Sequence, residues 1–302
     1  MIDATKRYLD IRSHLGYQDE DINRDLTAFA LHCNRRGSQY LQVQDAVDWV
    51  KIRPSLRRQS AILSAIRRLS LYLNAEEPKH EIIPDFVCKL RTRPVRITPF
   101  IYTESEVIEI IKTLGILPLR HPYDAQTYKH IIGLIAATGI RISEALAILT
   151  SEVSQTKILI NEGKFKKSRF VHIDSTTYRA LCLYLEGRSD KLRKDRLFVI
   201  HNNRTPSMSS VQFVFRSCID YLDLQPRHGS GLPRIHDFRH TFAVRALETC
   251  GSDPKAIANH IAVLSTHMGH VSLASTYWYL RLSESIKFSM ASSIAEVLYA
   301  KP

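Results

Sequence analysis

From about residue 100 onward, four polar islands interrupt a chain that is otherwise patterned for helices. They are ATGIRISEALAI with Arg141 and Glu144, EGKFKKSR with Lys164, HDFRHTFA with His236, Arg239 and His240, and MGHVSLASTYWYL with His270, Tyr277 and Tyr279. These residue types suit attack on an anionic ester. Guanidiniums bind phosphate-type oxygens through planar forks and stabilise charge gained in a transition state. Imidazoles and a lysine can move protons. A tyrosine hydroxyl, whose ordinary pKa is about 10, becomes a usable nucleophile inside a positive cluster. Each island alone is weak evidence, because an arginine at a helix start can be a surface residue, paired histidines can be core residues, and tyrosines can simply pack. HDFRH also matches H-x-x-x-H, the spacing of two zinc-binding histidines on one helical face. A metalloprotease, however, needs Glu after the first His, where this chain has Asp237, and it carries no cation such as Arg239 between its ligands.

The charge balance favours a polyanionic partner. The 302 residues include 42 Lys+Arg and 30 Asp+Glu, a formal net charge of +12, which points to nucleic acid. Residues 1–50 hold six Lys/Arg against eight Asp/Glu, whereas residues 51–98 hold eleven against four. That basic block includes Arg57, Arg58, Arg67, Arg68, Arg91, Arg93 and Arg96, candidate contacts to a phosphate backbone. Lys166, Lys167 and Arg169 are further candidates near Lys164. The five cysteines are scattered and odd in number, with no C-x-x-C pair, so free thiols in a reducing compartment are expected. MIDATKRYLD lacks the apolar run of a signal peptide, and the longest apolar stretch, near 131–140, is too short to span a bilayer. The reading is a cytoplasmic, nucleoid-associated protein with no membrane partner.

Taken together and in this order, the islands resemble the tyrosine recombinase (phage integrase) family, whose pattern is Arg, Lys, His-x-x-Arg, His or Trp, Tyr. Arg141, Lys164, His236, Arg239, His270 and Tyr279 fill those positions. GKFKKSRFVHI matches the family's Gly-Lys-x-x-Lys-x-Arg-x-Val run and so favours Lys164 over its lysine neighbours. The resemblance implies a 3′-phosphotyrosine intermediate formed by Tyr279, nine residues past the Gly-His histidine, and proton donation from Lys164 to the leaving 5′ oxygen. It implies no metal and no cofactor. Its partners would be duplex recombination sites, a synaptic tetramer of the chain itself, and accessory recombinases of the same element. Glu144 and His240 would support the site from behind. The role implied is integration, excision or transposition of a mobile element. Chromosome or plasmid dimer resolution by the same chemistry, a type IB topoisomerase activity, or a non-catalytic DNA-binding protein on this scaffold are the alternatives. This chain departs from the family pattern in a longer stretch between Arg239 and His270, in Met268 where Leu is usual, and in His267, a competing histidine.

The elements that position these residues follow from periodicity. Ile22, Leu26, Phe29, Ala30 and Cys33 share one helical stripe, as do Ile62, Leu63, Ile66, Leu69, Leu71 and Leu73. Residues 1–90 therefore read as an all-helical core-binding domain, SAM-like by resemblance. It begins almost at Met1, which tilts the reading away from lambda-like integrases with an added arm domain. Prolines 78, 84, 94 and 99 forbid a continuous helix over 76–100, so 91–99 reads as a basic linker. Residues 100–302 form the second domain, opened by a Thr103/Glu106 capping box. Helices are predicted at 124–137, 175–186, 209–222, 236–249 (closed by Gly251), 253–265 and from 272. A hairpin pairs 157–161 with 169–173. The fold class is mainly α with a small β-sheet: a helical domain plus a mixed α/β catalytic domain. Ile286, Phe288, Met290, Ile294, Val297 and Leu298 pattern a last amphipathic helix, packed either on its own domain or on a neighbouring protomer.

Overall fold

The computed structural model describes residues 1–17, 19–88, 98–163, 167–188, 195–227, 230–249, 254–270 and 274–281. The chain divides into two compact units, Met1–Arg96 and Ile97–Pro302. Among the described residues the fold is helical apart from one two-stranded sheet and isolated bridges, and no helix is long and apolar enough to cross a membrane.

The first unit contains α1 (Ile2–His14), α2 (Glu20–Arg35), α3 (Val43–Lys51), α4 (Leu56–Glu76) and the single turn α5 (Asp85–Cys88). Its core joins Leu26, Phe29 and Cys33 of α2, Trp49 of α3, and Ile62, Ile66, Leu69 and Leu73 of α4. The Ser55 hydroxyl caps α4 by accepting from the Arg58 backbone N–H at 3.1 Å. Leu71, assigned to the buried stripe by sequence, is solvent-exposed: two positions from Leu69 is about 200° around a helix, which turns it away from the core. Arg58 also departs from expectation. Its guanidinium is ion-paired with Asp25 and ties α4 to α2, so it is engaged within the fold. Arg57 and Arg68 keep exposed side chains, and eleven positions of separation puts them on one face of α4. Arg67 is partly buried. Arg91, Arg93 and Arg96 lie outside the described residues.

The second unit contains α6 (Glu104–Ile116), α7 (Pro122–Thr138), α8 (Ile142–Ala147), β1 (Lys157–Gly163), β2 (Lys167–His172), α9 (Ser175–Glu186), α10 (Met208–Tyr221), α11 (Ile235–Glu248), α12 (Pro254–Met268) and α13 (Ala274–Tyr277), which runs into a 3₁₀ turn over Trp278–Arg281. The Thr103/Glu106 capping box is present in full. β1 and β2 pair antiparallel with Ile160 opposite Arg169 and Ile158 opposite Val171. The stretch between Arg239 and His270 contains α12. α11 ends in an αR cap at Thr249, and Gly251, expected to close it, lies outside the described residues. So does the C-terminal segment from 282.

Gly139 ends α7 at φ +66, and a Cβ there would lie 2.6 Å from the Phe242 ring. Both the left-handed backbone and the clash oppose a side chain. Gly139→Ala is therefore expected to destabilise by more than about 1 kcal/mol and to lower Tm in a thermal melt, whereas Gly187→Ala, which meets only ordinary contacts, costs little.

Candidate active site

Three arginines converge on the C-terminal end of α12. The His267 carbonyl accepts from Arg169 Nε at 2.7 Å, the Met268 carbonyl from Arg239 Nη2, and the Gly269 carbonyl from Arg141 Nη2 at 3.2 Å. A helix leaves its last carbonyls without intrahelical partners and concentrates partial negative charge there. Successive carbonyls thus hold three guanidiniums that would otherwise repel one another. Gly269 makes the turn possible: its φ is +63, and a Cβ would sit 2.9 Å from Arg169 Cζ.

Glu144 supplies the counter-charge. Its carboxylate accepts from Arg169 Nη1 at 3.0 Å and Nη2 at 2.9 Å, and from Arg141 Nη1 at 2.8 Å and the Arg141 backbone N–H at 2.9 Å. Burial alone would push this carboxyl up, but the Arg169 fork, the Arg141 N–H and both positive charges outweigh it and hold the pKa at about 2. Arg169 is thereby a correction to the sequence reading. Expected to touch a phosphate backbone, it has only 9% of its side chain exposed and is spent on Glu144 and α12. Strand alternation carried the signal, because Arg169 shares a face with the buried Val171 and Ile173. Among the described residues, Glu144 is ion-paired with Arg141 and Arg169, while Arg239 is held by the Gly139 and Met268 carbonyls, so the three cations outnumber the paired carboxylate and positive charge is left over.

Arg239 is 2% exposed and donates to the Gly139 carbonyl at 2.6 Å as well as to Met268. Its place on α11 is fixed from both ends of the local sequence. Asp237, fully buried, caps the helix by accepting from the Arg234 backbone N–H at 2.9 Å and its guanidinium at 2.8 Å. Tyr102 stacks on Phe238 at 4.3 Å and donates to the Arg234 carbonyl at 3.0 Å. Asp237, weighed in sequence against a metalloprotease glutamate, is thus a helix cap facing Arg234. Burial, then the charge of Arg141, draw the Arg239 guanidinium down to about 10, still protonated at neutral pH.

Tyr279 is 3% exposed, while Tyr277 is 48% exposed. The two tyrosines point apart, as spacing required. The Tyr279 hydroxyl is hydrogen-bonded to His240 Nδ1 at 3.0 Å, and its ring lies between His240, His270 and Trp278 at centroid distances of 5.5, 6.2 and 5.4 Å. His270 pairs through Nδ1 with Thr276 Oγ1 at 2.7 Å. Burial and the three arginines bring its pKa down to about 4, so at neutral pH it is an uncharged imidazole able to donate a single N–H. His236 meets His240 edge-on at 4.8 Å. The protein packed around His236 and then the Arg239 charge lower its pKa. His267, the competitor to His270, donates from Nε2 to the Thr138 carbonyl at 2.8 Å and stacks on Phe242. It braces α12 against the end of α7.

Arg141, His236, Arg239, His240, His270 and Tyr279 are therefore gathered from three separate stretches of chain, with Glu144 beneath them. Lys164 and Lys166 lie outside the described residues. Lys167 begins β2. Sequence reading missed Asp237, His267, Gly269 and Thr276 as supports. Of these, only Gly269 had an available signal, a glycine directly after a helical run.

This arrangement can bind an oxyanion at the surplus positive charge and present a phenolic oxygen to it. Comparisons with known proteins show the family. Residues 102–285 match the model of the phage integrase family. The tyrosine recombinase XerC of Bacillus pumilus is 30% identical over 240 residues, covering 76% of this chain and 71% of that protein. Two solved structures share the fold: the Tn1549 transposon integrase in complex with transposon right end DNA (TM-score 0.65, 14% identity, 98% of this chain and 99% of that one), and the XerH site-specific recombinase bound to its difH substrate (TM-score 0.65, 17% identity, 91% and 78%). The chain belongs to the phage integrase family, the tyrosine recombinases.

Proposed function

We propose that this protein is a site-specific DNA recombinase that moves a mobile element by integration, excision or transposition, cutting each strand through Tyr279. The observation that carries the reading is the placement of a buried tyrosine at a site where Arg141 and Arg169 share the carboxylate of Glu144 and Arg239, held by backbone carbonyls, adds a third positive charge. Arg141 and Arg239 hold the non-bridging oxygens of one phosphodiester and stabilise the charge it gains as Tyr279 attacks. His236 and the neutral His270 add hydrogen bonds to those oxygens. The P–O5′ bond breaks, Lys164 protonates the departing oxygen, and the 3′-phosphotyrosine link conserves the bond energy for rejoining to a second strand. Arg169 and Glu144 do not touch the phosphate in this scheme; they keep Arg141 in place. Exchange between two duplexes calls for four copies of the chain on DNA.

The test is a suicide oligonucleotide, nicked so that the cleaved 5′ fragment diffuses away and the covalent species accumulates. The expected product is protein joined to a 3′ phosphate, beside a free 5′-hydroxyl. A 5′-linked protein, or none with any selected binding site, contradicts the reading.

Backbone grip is assigned to a different set of charges. Arg57→Ala and Arg68→Ala are each expected to weaken DNA binding and to reduce the slope of log K against log salt by about one, measured by fluorescence anisotropy at several salt concentrations. Cleavage at saturating DNA should be unchanged.

A further inference from the structure

We infer that His240 is a catalytic base in this site, taking the proton of Tyr279 through Nδ1 as the phenolic oxygen attacks; the inference rests on Tyr279 being the nucleophile. The hydroxyl and Nδ1 lie 3.0 Å apart, within the reach that proton transfer requires. The pair is shielded, because Tyr279 belongs to the cluster formed by Val244, Leu247, Ile261, Leu264 and Met268 and Trp278 stands edge-on to the His240 ring at 5.5 Å. His240 is held in register with the anion site by one helical step, since Arg239 precedes it on α11. The neighbouring histidines have other geometry: His270 is tied to Thr276, and His236 meets His240 ring to edge. This divides the labour, with His236 and His270 serving the phosphate and His240 serving the nucleophile.

The proton balance closes over a full cycle. On cleavage, the Tyr279 O–H bond breaks, the proton passes to the His240 Nδ1 lone pair, and a P–Oη bond forms while P–O5′ breaks and O5′ is protonated by Lys164. On rejoining, the incoming 5′-hydroxyl gives its proton to the neutral lysine, and His240 returns its own to the Tyr279 oxygen. Among the described residues, His240 meets His236 on its own helix and Tyr279 and Trp278 on the 3₁₀ turn, and His270 stacks on the far side of the Tyr279 ring.

Single-turnover cleavage by His240→Ala and His240→Asn tests this, on a normal suicide substrate and on one with sulfur replacing the bridging 5′ oxygen. Asn can accept a hydrogen bond where Nδ1 does, but it cannot accept a proton. Both variants should cleave about a hundredfold more slowly at pH 7 with unchanged DNA affinity. The deficit should narrow as pH rises towards 9, where solvent hydroxide can take the proton. The sulfur substrate, whose thiolate leaves without protonation, should not relieve the deficit. Under the same conditions it should relieve that of Lys164→Ala. Unchanged or faster cleavage by His240→Ala, a deficit flat with pH, full activity in His240→Asn, or rescue by sulfur would each overturn the role. Failure of the underlying reading looks different: Tyr279→Phe would still form adducts.

Discussion

Tyr279→Phe is expected to bind recombination-site DNA within about twofold of the parent chain while covalent capture falls by at least about a thousandfold, the scale of loss seen when a nucleophile is removed. The substitution is unusually clean here. Tyr279 is 3% exposed and its ring fills a cluster with α11 and α12 side chains, and phenylalanine keeps that ring. What is lost is one hydroxyl and its bond to His240, a change of about 1 kcal/mol in stability. A fall in capture therefore reports chemistry and not folding, provided that the melting temperature moves by only a few degrees. Tyr277→Phe is the matched control: Tyr277 is 48% exposed and capture should stay close to the parent level.

The second large effect is at Glu144. Glu144→Ala removes the carboxylate that pairs with both Arg141 and Arg169. Arg169 is then a buried guanidinium without its fork, and breaking such a pair from one side costs about 3–5 kcal/mol. Catalysis should fall as well, because the Arg141 backbone N–H and guanidinium both lose their anchor. Chemical denaturation measures the first effect and single-turnover cleavage the second. The pH dependence has a defined sign. The folded pKa of Glu144, about 2, lies below its ordinary value of 4.5, so the folded state favours the ionised form. Its contribution to stability is fully present above pH 4.5 and is lost as pH falls from there towards about 2. Glu144→Gln, which cannot ionise, should start less stable and show a shallower loss across that window in Tm measured against pH.

Much of this arrangement was legible in the sequence, and the misses share a cause. Periodicity located the helices, since an apolar stripe such as Leu26, Phe29, Ala30 and Cys33 has few ways to be buried. Alternation located the hairpin, and the Thr103/Glu106 cap is a local code read over four residues. The opposite facing of Tyr277 and Tyr279 followed from helical geometry, although a 3₁₀ turn begins between them. Ion pairing could not be read in the same way. Arg58 and Arg169 both stand in basic runs that read as phosphate contacts, yet each meets a carboxylate distant in sequence, Asp25 and Glu144. Charge composition counts cations but does not reveal which of them the fold neutralises. The same limit hid His267 and Asp237, whose partners, the Thr138 carbonyl and the Arg234 guanidinium, are defined by tertiary packing and by the entry angle of α11.

The overall charge of +12 thus has two unlike parts. Exposed arginines such as Arg57 and Arg68 can track a backbone in a salt-dependent way. Arg141 and Arg239, with Arg169 bracing Arg141 through Glu144, are built into the fold and would hold one anion beside one hydroxyl. That second part is the central claim, and its most direct test is to locate the covalent bond to DNA. The adduct trapped on a suicide substrate would be digested with nuclease and trypsin, and the peptide spanning residues 256–281, which contains both Tyr277 and Tyr279, would be fragmented by mass spectrometry. The account predicts a nucleoside 3′-phosphate on Tyr279. The same mass on Tyr277 or on any serine, or a 5′-phosphate linkage, would contradict it.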